Sequence, residues 1–127
     1  MAKKWSSLII NSEIHSVIEL EYIFGVKSLK RDHFEYQIYE DLSLENSGLY
    51  EYPIDVFFDL IETKYKLLTI SDRDSIEIWI LYEYDDQCGF EFSPDLLSKF
   101  GKFNVTLCIN AYQFDENQDN WIVRLTD

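Results

Sequence analysis

Polar and apolar positions alternate with two distinct periods along this chain, and each change of period marks an element. The short apolar run Trp5–Ile10 reads as a first strand. Asn11 and Ser12 are good cap residues, and a helix is expected from there to about Phe24. Ile14, Val17, Ile18 and Phe24 fall on one side of that helix and Glu13 and Glu19 on the other. Gly25 stands where a helix stop wants a residue that tolerates positive φ. Phe34–Tyr39 has the aromatic and β-branched character of a second strand. Glu40–Glu51, with Asn46-Ser47-Gly48, reads as a long polar connection.

Pro53 opens a second helix whose buried face is expected to be Ile54, Phe57, Phe58, Leu60, Ile61 and Tyr65. After the polar turn Ser71–Asp74 comes the cleanest period-two stretch. Ile76, Ile78, Ile80, Tyr82 and Tyr84 point one way, and Glu77, Trp79, Leu81 and Glu83 the other. Asp85–Gly89 is a turn, and Phe90–Phe92 is a short strand piece. Ser93-Pro94-Asp95 starts a third helix that Gly101 ends. Phe103, Val105, Leu107, Ile109 and Ala111 alternate as a central strand. Phe114–Asn120 is an acidic loop, and Trp121–Leu125 a last strand. Short helices alternating with strands predict one α/β (α+β) domain over residues 1–127. Its architecture is a two-layer sandwich, a mainly antiparallel sheet with helices packed on one face.

Charge changes the picture more than composition does. The chain has 24 acids against 11 lysines and arginines, a net charge of −13, together with nine Phe, nine Tyr and three Trp. Acidic disordered tails lack such aromatics, so this is a folded body with a negative surface. Such a surface repels nucleic acid and anionic membranes and attracts basic proteins. Lys27, Lys30 and Arg31 form the only dense basic stretch, too small to offset that field. No apolar run is long enough for a membrane span or a secretory signal, since Leu8-Ile9-Ile10 ends at Asn11, and a cytoplasmic protein is expected.

Candidate chemistry is sparse. His15 and His33 have no second His or Cys at ligand spacing and read as surface residues. Cys108 lies in an apolar strand pattern and reads as a buried thiol; Cys88 lies in a turn. Glu83 with Asp85 and Asp86 lacks the carboxylate spacing of a calcium loop. There is no phosphate-binding glycine loop and no nucleophile elbow. The expectation is therefore no catalytic residue, no metal and no cofactor. The features left over are acids beside aromatics. Glu83, Asp85 and Asp86 stand with Tyr82 and Tyr84, and Asp115, Glu116 and Asp119 lie near Tyr112 and Trp121. Acids steer a basic partner and aromatics anchor it, so these residues are the candidate partner-binding set.

The segment Gly89–Gly101, with Ser93-Pro94 at its centre, and the following Asn104–Tyr112 resemble the closing part of the bacterial domain of unknown function 4279 family. Asn11–Gly25 is similar to that family's first helix, with Phe24-Gly25 in place of its Leu-Gly-like pair; the family's usual proline after this helix is missing here. The resemblance spans Ser7 to Tyr112. It brings no catalytic residues, and it implies a likeness to small acidic immunity proteins that bind and block a cognate toxin, often a basic nuclease. The alternative expectation is a small-ligand-binding or regulatory domain with a pocket between helices and sheet. An enzyme with an unrecognised carboxylate site and a subunit of a larger assembly are more distant alternatives.

Overall fold

Four strands and three helices alternate along the chain, followed through residues 3–41, 52–84 and 91–113 of a computed structural model. The elements are β1 (Lys3–Asn11), α1 (Val17–Phe24), β2 (Phe34–Asp41), α2 (Tyr52–Lys64), β3 (Ser75–Tyr84), α3 (Pro94–Lys102) and β4 (Val105–Gln113). A single 3-10 turn, Tyr65–Leu67, extends α2. The expected turn at Asp85–Gly89, the loop after Gln113 and the strand Trp121–Leu125 lie outside the described residues. Glu91 and Phe92 of the expected strand piece are not in a strand.

The sheet order is β2-β1-β3-β4. β1 is antiparallel to both β2 and β3, while β4 is parallel to β3. The two-layer α+β architecture expected from the pattern is the one observed, with a mixed sheet. Because β2 and β3 both oppose β1, they run the same way, and α2 carries the chain over β1 between them. α3 makes the next crossover, from β3 to β4. Crossovers of this kind are overwhelmingly right-handed, so two that step in one direction across a sheet leave their helices on the same side.

Period two decides which side of the sheet is covered. Leu8, Ile10, Phe34, Ile76, Ile78, Ile80 and Val105 face the helices and are buried. Leu20 and Phe24 come down from α1; Ile54, Phe57, Phe58 and Ile61 from α2; Leu96 and Phe100 from α3. Phe58 presents an edge to Phe100 at 4.8 Å, and Phe24 meets Phe34 at 5.5 Å. Each such side chain taken out of water contributes roughly 1.5–3 kcal/mol. Among the described residues no helix is long and apolar enough to cross a membrane.

Several local expectations change. α1 starts at Val17, not next to Ser12, because Ser16 and Glu19 form a reciprocal capping box. Ser12 is used otherwise: its Oγ accepts from the N–H groups of Ile14 and His15 and shapes a turn ahead of the helix. Ile14 therefore lies ahead of the helix, and Ile14 and Ile18 are exposed while Leu20 and Phe24 take the buried side. Gly25 does close α1, with φ +71°. Gly101 does not close α3; the helix runs through to Lys102, and the left-handed residue is Asn104, φ 55°. Tyr65 lies at the surface with its ring against Phe103.

β4 is an edge strand, not a central one. Its alternation is as expected, but helical cover ends after Leu107, leaving Ile109 and Ala111 exposed. The place beside β3 that a central strand would take is filled by β1. Cys108 is likewise not buried. Its parity puts it on the side of the sheet away from the helices, half-exposed and unbridged. Partial desolvation and the Glu77 carboxylate push its thiol above the ordinary cysteine range.

Candidate functional site

Register brings three strand ends together. Lys3 pairs with Asp41 on one side and Glu83 on the other, Glu83 pairs with Tyr112, and Tyr84 with Gln113. β2, β3 and β4 therefore all finish at the end of the sheet where β1 begins. The three segments that follow them, 42–51, 85–90 and 114–127, carry eight of the 24 acids and only one of the eleven lysines and arginines, Arg124. The acid clusters read from the sequence as separate loops thus depart from one end of one sheet. That gathering is a consequence of the parallel relation of the strands.

The described part of this end is built from side chains that alternate across the sheet. On the helix side the Tyr82 and Tyr84 rings stack at 5.9 Å, with Tyr82 buried and Tyr84 half-buried. Lys4 lies beside Tyr82 on the same side and is fully enclosed, its Nζ 3.0 Å from Glu40 Oε1. On the open side Trp5 and Tyr39 meet at 5.3 Å, and Glu83 is buried close to them in the ladder. Lys3 stands in register between Asp41 and Glu83, and Lys4 between Glu40 and Tyr82, so this end is braced internally against its own negative charge.

The expected partner-binding set therefore divides. Tyr82 and Tyr84 share one side of β3 and Glu83 takes the other, as period two requires. Asp85, Asp86, Asp115, Glu116 and Asp119 lie outside the described residues. Sequence reasoning missed Lys4, Trp5 and Tyr39, and it placed Glu40 in the long polar connection, whereas Glu40 belongs to β2. The period-two positions of Trp5 and Tyr39 could have placed them on one side of a sheet. Nothing local marks Lys4 as buried, since that depends on which strands flank β1.

Many of the described acids are committed to the fold. Glu21 accepts from the Ser28 N–H and from Arg31, and these hold its carboxyl below the usual range. Asp74 accepts from the Ser71 and Glu13 N–H groups with the same effect. Glu19 is lowered by the Ser16 N–H and by His15. Glu35 takes the Ser7 hydroxyl and faces His33 Nε2, while His33 Nδ1 faces Asp32.

A cavity of about 300 Å³ opens at the opposite end of the sheet, between β1, α1 and the start of β2, and both histidines line it. His15 corrects the surface reading. Its ring is largely enclosed, with Nε2 accepting from the Thr69 N–H at 3.0 Å and Nδ1 3.5 Å from Glu19. Several polar wall atoms bond to one another, Ser12 to Asp74, Ser16 to Glu19, and His33 to its two carboxylates, whereas His15 Nδ1 is buried without a hydrogen bond. Among the described residues no group of three or more His, Cys, Asp or Glu is arranged to hold a metal ion. Comparison with known protein families, with characterised proteins and with solved structures gives no match for this chain.

Proposed function

We propose that this chain is a non-enzymatic binding protein that captures a basic protein domain at the end of the sheet where β2, β3 and β4 finish. Its closest functional analogy, implied by the family resemblance, is an immunity protein that neutralises a bacterial toxin domain, with a nuclease as the basic candidate. The observation that carries the reading is that the three strands followed in sequence by acid-rich segments all end at one braced end of the sheet. A concentrated negative field accelerates encounter with a cation, and aromatic side chains set how slowly the complex comes apart. Among the described residues Tyr84, Tyr39, Trp5 and Tyr112 are aromatics at this end, none of them fully buried. The small-ligand reading ranks second. The cavity beside α1 has suitable size and His15 Nδ1 is buried there without a hydrogen bond, yet the serine, His33 and acid groups of its wall bond to one another, so a ligand would have to break bonds already made to engage them.

The test is kinetic. The probe is the carboxyl-terminal domain encoded immediately upstream of this chain, purified as an inactive variant. Its association rate with the chain is expected to fall about tenfold or more between low and high salt. Replacing Asp85, Asp86, Asp115, Glu116 and Asp119 by their amides should slow association at low salt and leave dissociation nearly unchanged. An association rate indifferent to salt removes the steering mechanism. A neighbouring domain that is acidic, or that fails to bind, removes the proposal.

A further inference from the structure

We infer that His15 is a proton-operated latch: its neutral ring ties the stretch after α2 to the turn ahead of α1, and protonation of the ring lets that stretch go. The geometry fixes the tautomer. His15 Nε2 accepts from the Thr69 N–H at 3.0 Å, so this nitrogen carries a lone pair and the proton of the neutral ring sits on Nδ1. Nδ1 is buried without a hydrogen bond, 3.5 Å from Glu19 Oε2. The side chain is 11% exposed, so water does not readily stand in for either partner. A second proton has one place to go, Nε2, and there it sets N–H against N–H. The bond to Thr69 cannot survive that, while the cation gains the Glu19 carboxylate on its other side. One proton thus shifts the ring's attraction from the stretch after α2 to α1.

The other charged groups around the ring have partners of their own. Glu13 pairs with Arg73 of the turn before β3 at 3.7 Å. Asp74 of that turn takes the N–H groups of Glu13 and Ser71. Asp32 and His33, from the segment ahead of β2, line the same cavity and bond to each other. The stretch Leu67–Ser71 has no charged side chain, and Lys66 precedes it. Glu19 is therefore the acid set against the ring. The stretch itself is lightly held. The Leu68 N–H donates to the Tyr65 carbonyl and the Leu68 side chain is half-buried against the core, whereas Leu67 and Ile70 are exposed. Ser71 is anchored by Asp74, whose carboxyl is held below its ordinary range and stays charged where imidazoles titrate. Losing the Thr69 bond thus frees the chain between Leu68 and Ser71 and leaves the turn intact. Ile70 lies in that interval and lines a second cavity, of about 230 Å³, with Tyr65, Phe103 and Asn104. The latch sets the position of that wall.

The latch does not depend on the acidic end being a binding site. Nuclear magnetic resonance of the isotope-labelled full chain reads it directly. At about pH 7.5 the ring of His15 should carry its proton on Nδ1 and none on Nε2. Between about pH 7.5 and pH 5 the hydrogen-exchange protection factor of the Thr69 amide should fall about tenfold, while amides of β1 and β3 keep theirs. His15→Gln presents a neutral side-chain oxygen that accepts from the Thr69 N–H at either pH, so protection there should no longer respond to pH. Glu19→Gln keeps the capping bond to the Ser16 N–H but removes the charge beside Nδ1, so release should need a lower pH. His33→Gln should leave the response unchanged. A Thr69 amide equally protected at both pH values overturns the inference. So does a loosening that persists in His15→Gln, or a ring that carries its proton on Nε2 at about pH 7.5.

Discussion

Asp74 shows how a surface acid becomes structural. Its carboxylate takes the backbone N–H of Ser71 and of Glu13, so it ties the turn before β3 to the turn before α1. Those bonds favour the charged form and hold the group below the ordinary carboxylate range. The sign of the linkage follows. A carboxyl titrating lower in the folded chain contributes its full stabilisation above the unfolded value near 4 and loses it as pH falls through the folded one. Glu19 and Glu21, also lowered, act in the same direction. The melting temperature is therefore expected to decline below about pH 4. An Asp74→Ala variant should melt lower than the parent at neutral pH, with the gap closing as acid is added. A gap of constant size down to pH 3 overturns this role for Asp74.

At the scale of elements, alternation told which side of each strand is buried, and capping chemistry told where helices can begin. It did not distinguish between two competing caps. Ser12 and Ser16 both qualify, and Ser16 is the cap because Glu19 completes its box while Ser12 is engaged by Asp74. That choice starts α1 several residues later and leaves Ile14 outside it. The place of β4 was equally hidden, since an alternating strand looks the same at the centre of a sheet and at its edge. The difference is measurable. Phe58→Ala, which empties the contact between α2 and α3, should cost roughly 3–5 kcal/mol in chemical denaturation. Ile109→Ala, on the exposed stretch of β4, should cost less than about 1 kcal/mol. Equal losses at the two sites would mean that β4 is covered on both sides.

For the whole molecule the governing quantity is how its charge is distributed. Ten of the eleven lysines and arginines lie among the described residues, whereas a third of the acids lie in the three segments beyond the ends of β2, β3 and β4. The described part is thus closer to balance than the chain, and much of the excess belongs to segments that follow strands ending on one side of the sheet. Like charges held together oppose compaction, and salt relieves them. Thermal stability should accordingly rise as salt increases from about 0.02 to 0.5 M, as followed by differential scanning calorimetry. A fall would mean that ion pairs such as Lys4–Glu40, and not repulsion, dominate the charge energetics.

Much of this protein is written locally. Periods of two and of 3.6 follow from backbone geometry, so the strands, the helices and the layer between them could be read residue by residue, and the charge excess simply counted. What no local rule contains is how strands pair. Placing β1 between β2 and β3 encloses Lys4 and makes the flanking strands run the same way, so that both end on one side of the sheet. The histidines meet at one cavity for the same reason, through residues more than fifteen positions apart. Pairing is settled by which apolar faces can be covered at once, a property of the assembled chain that no single window of sequence contains.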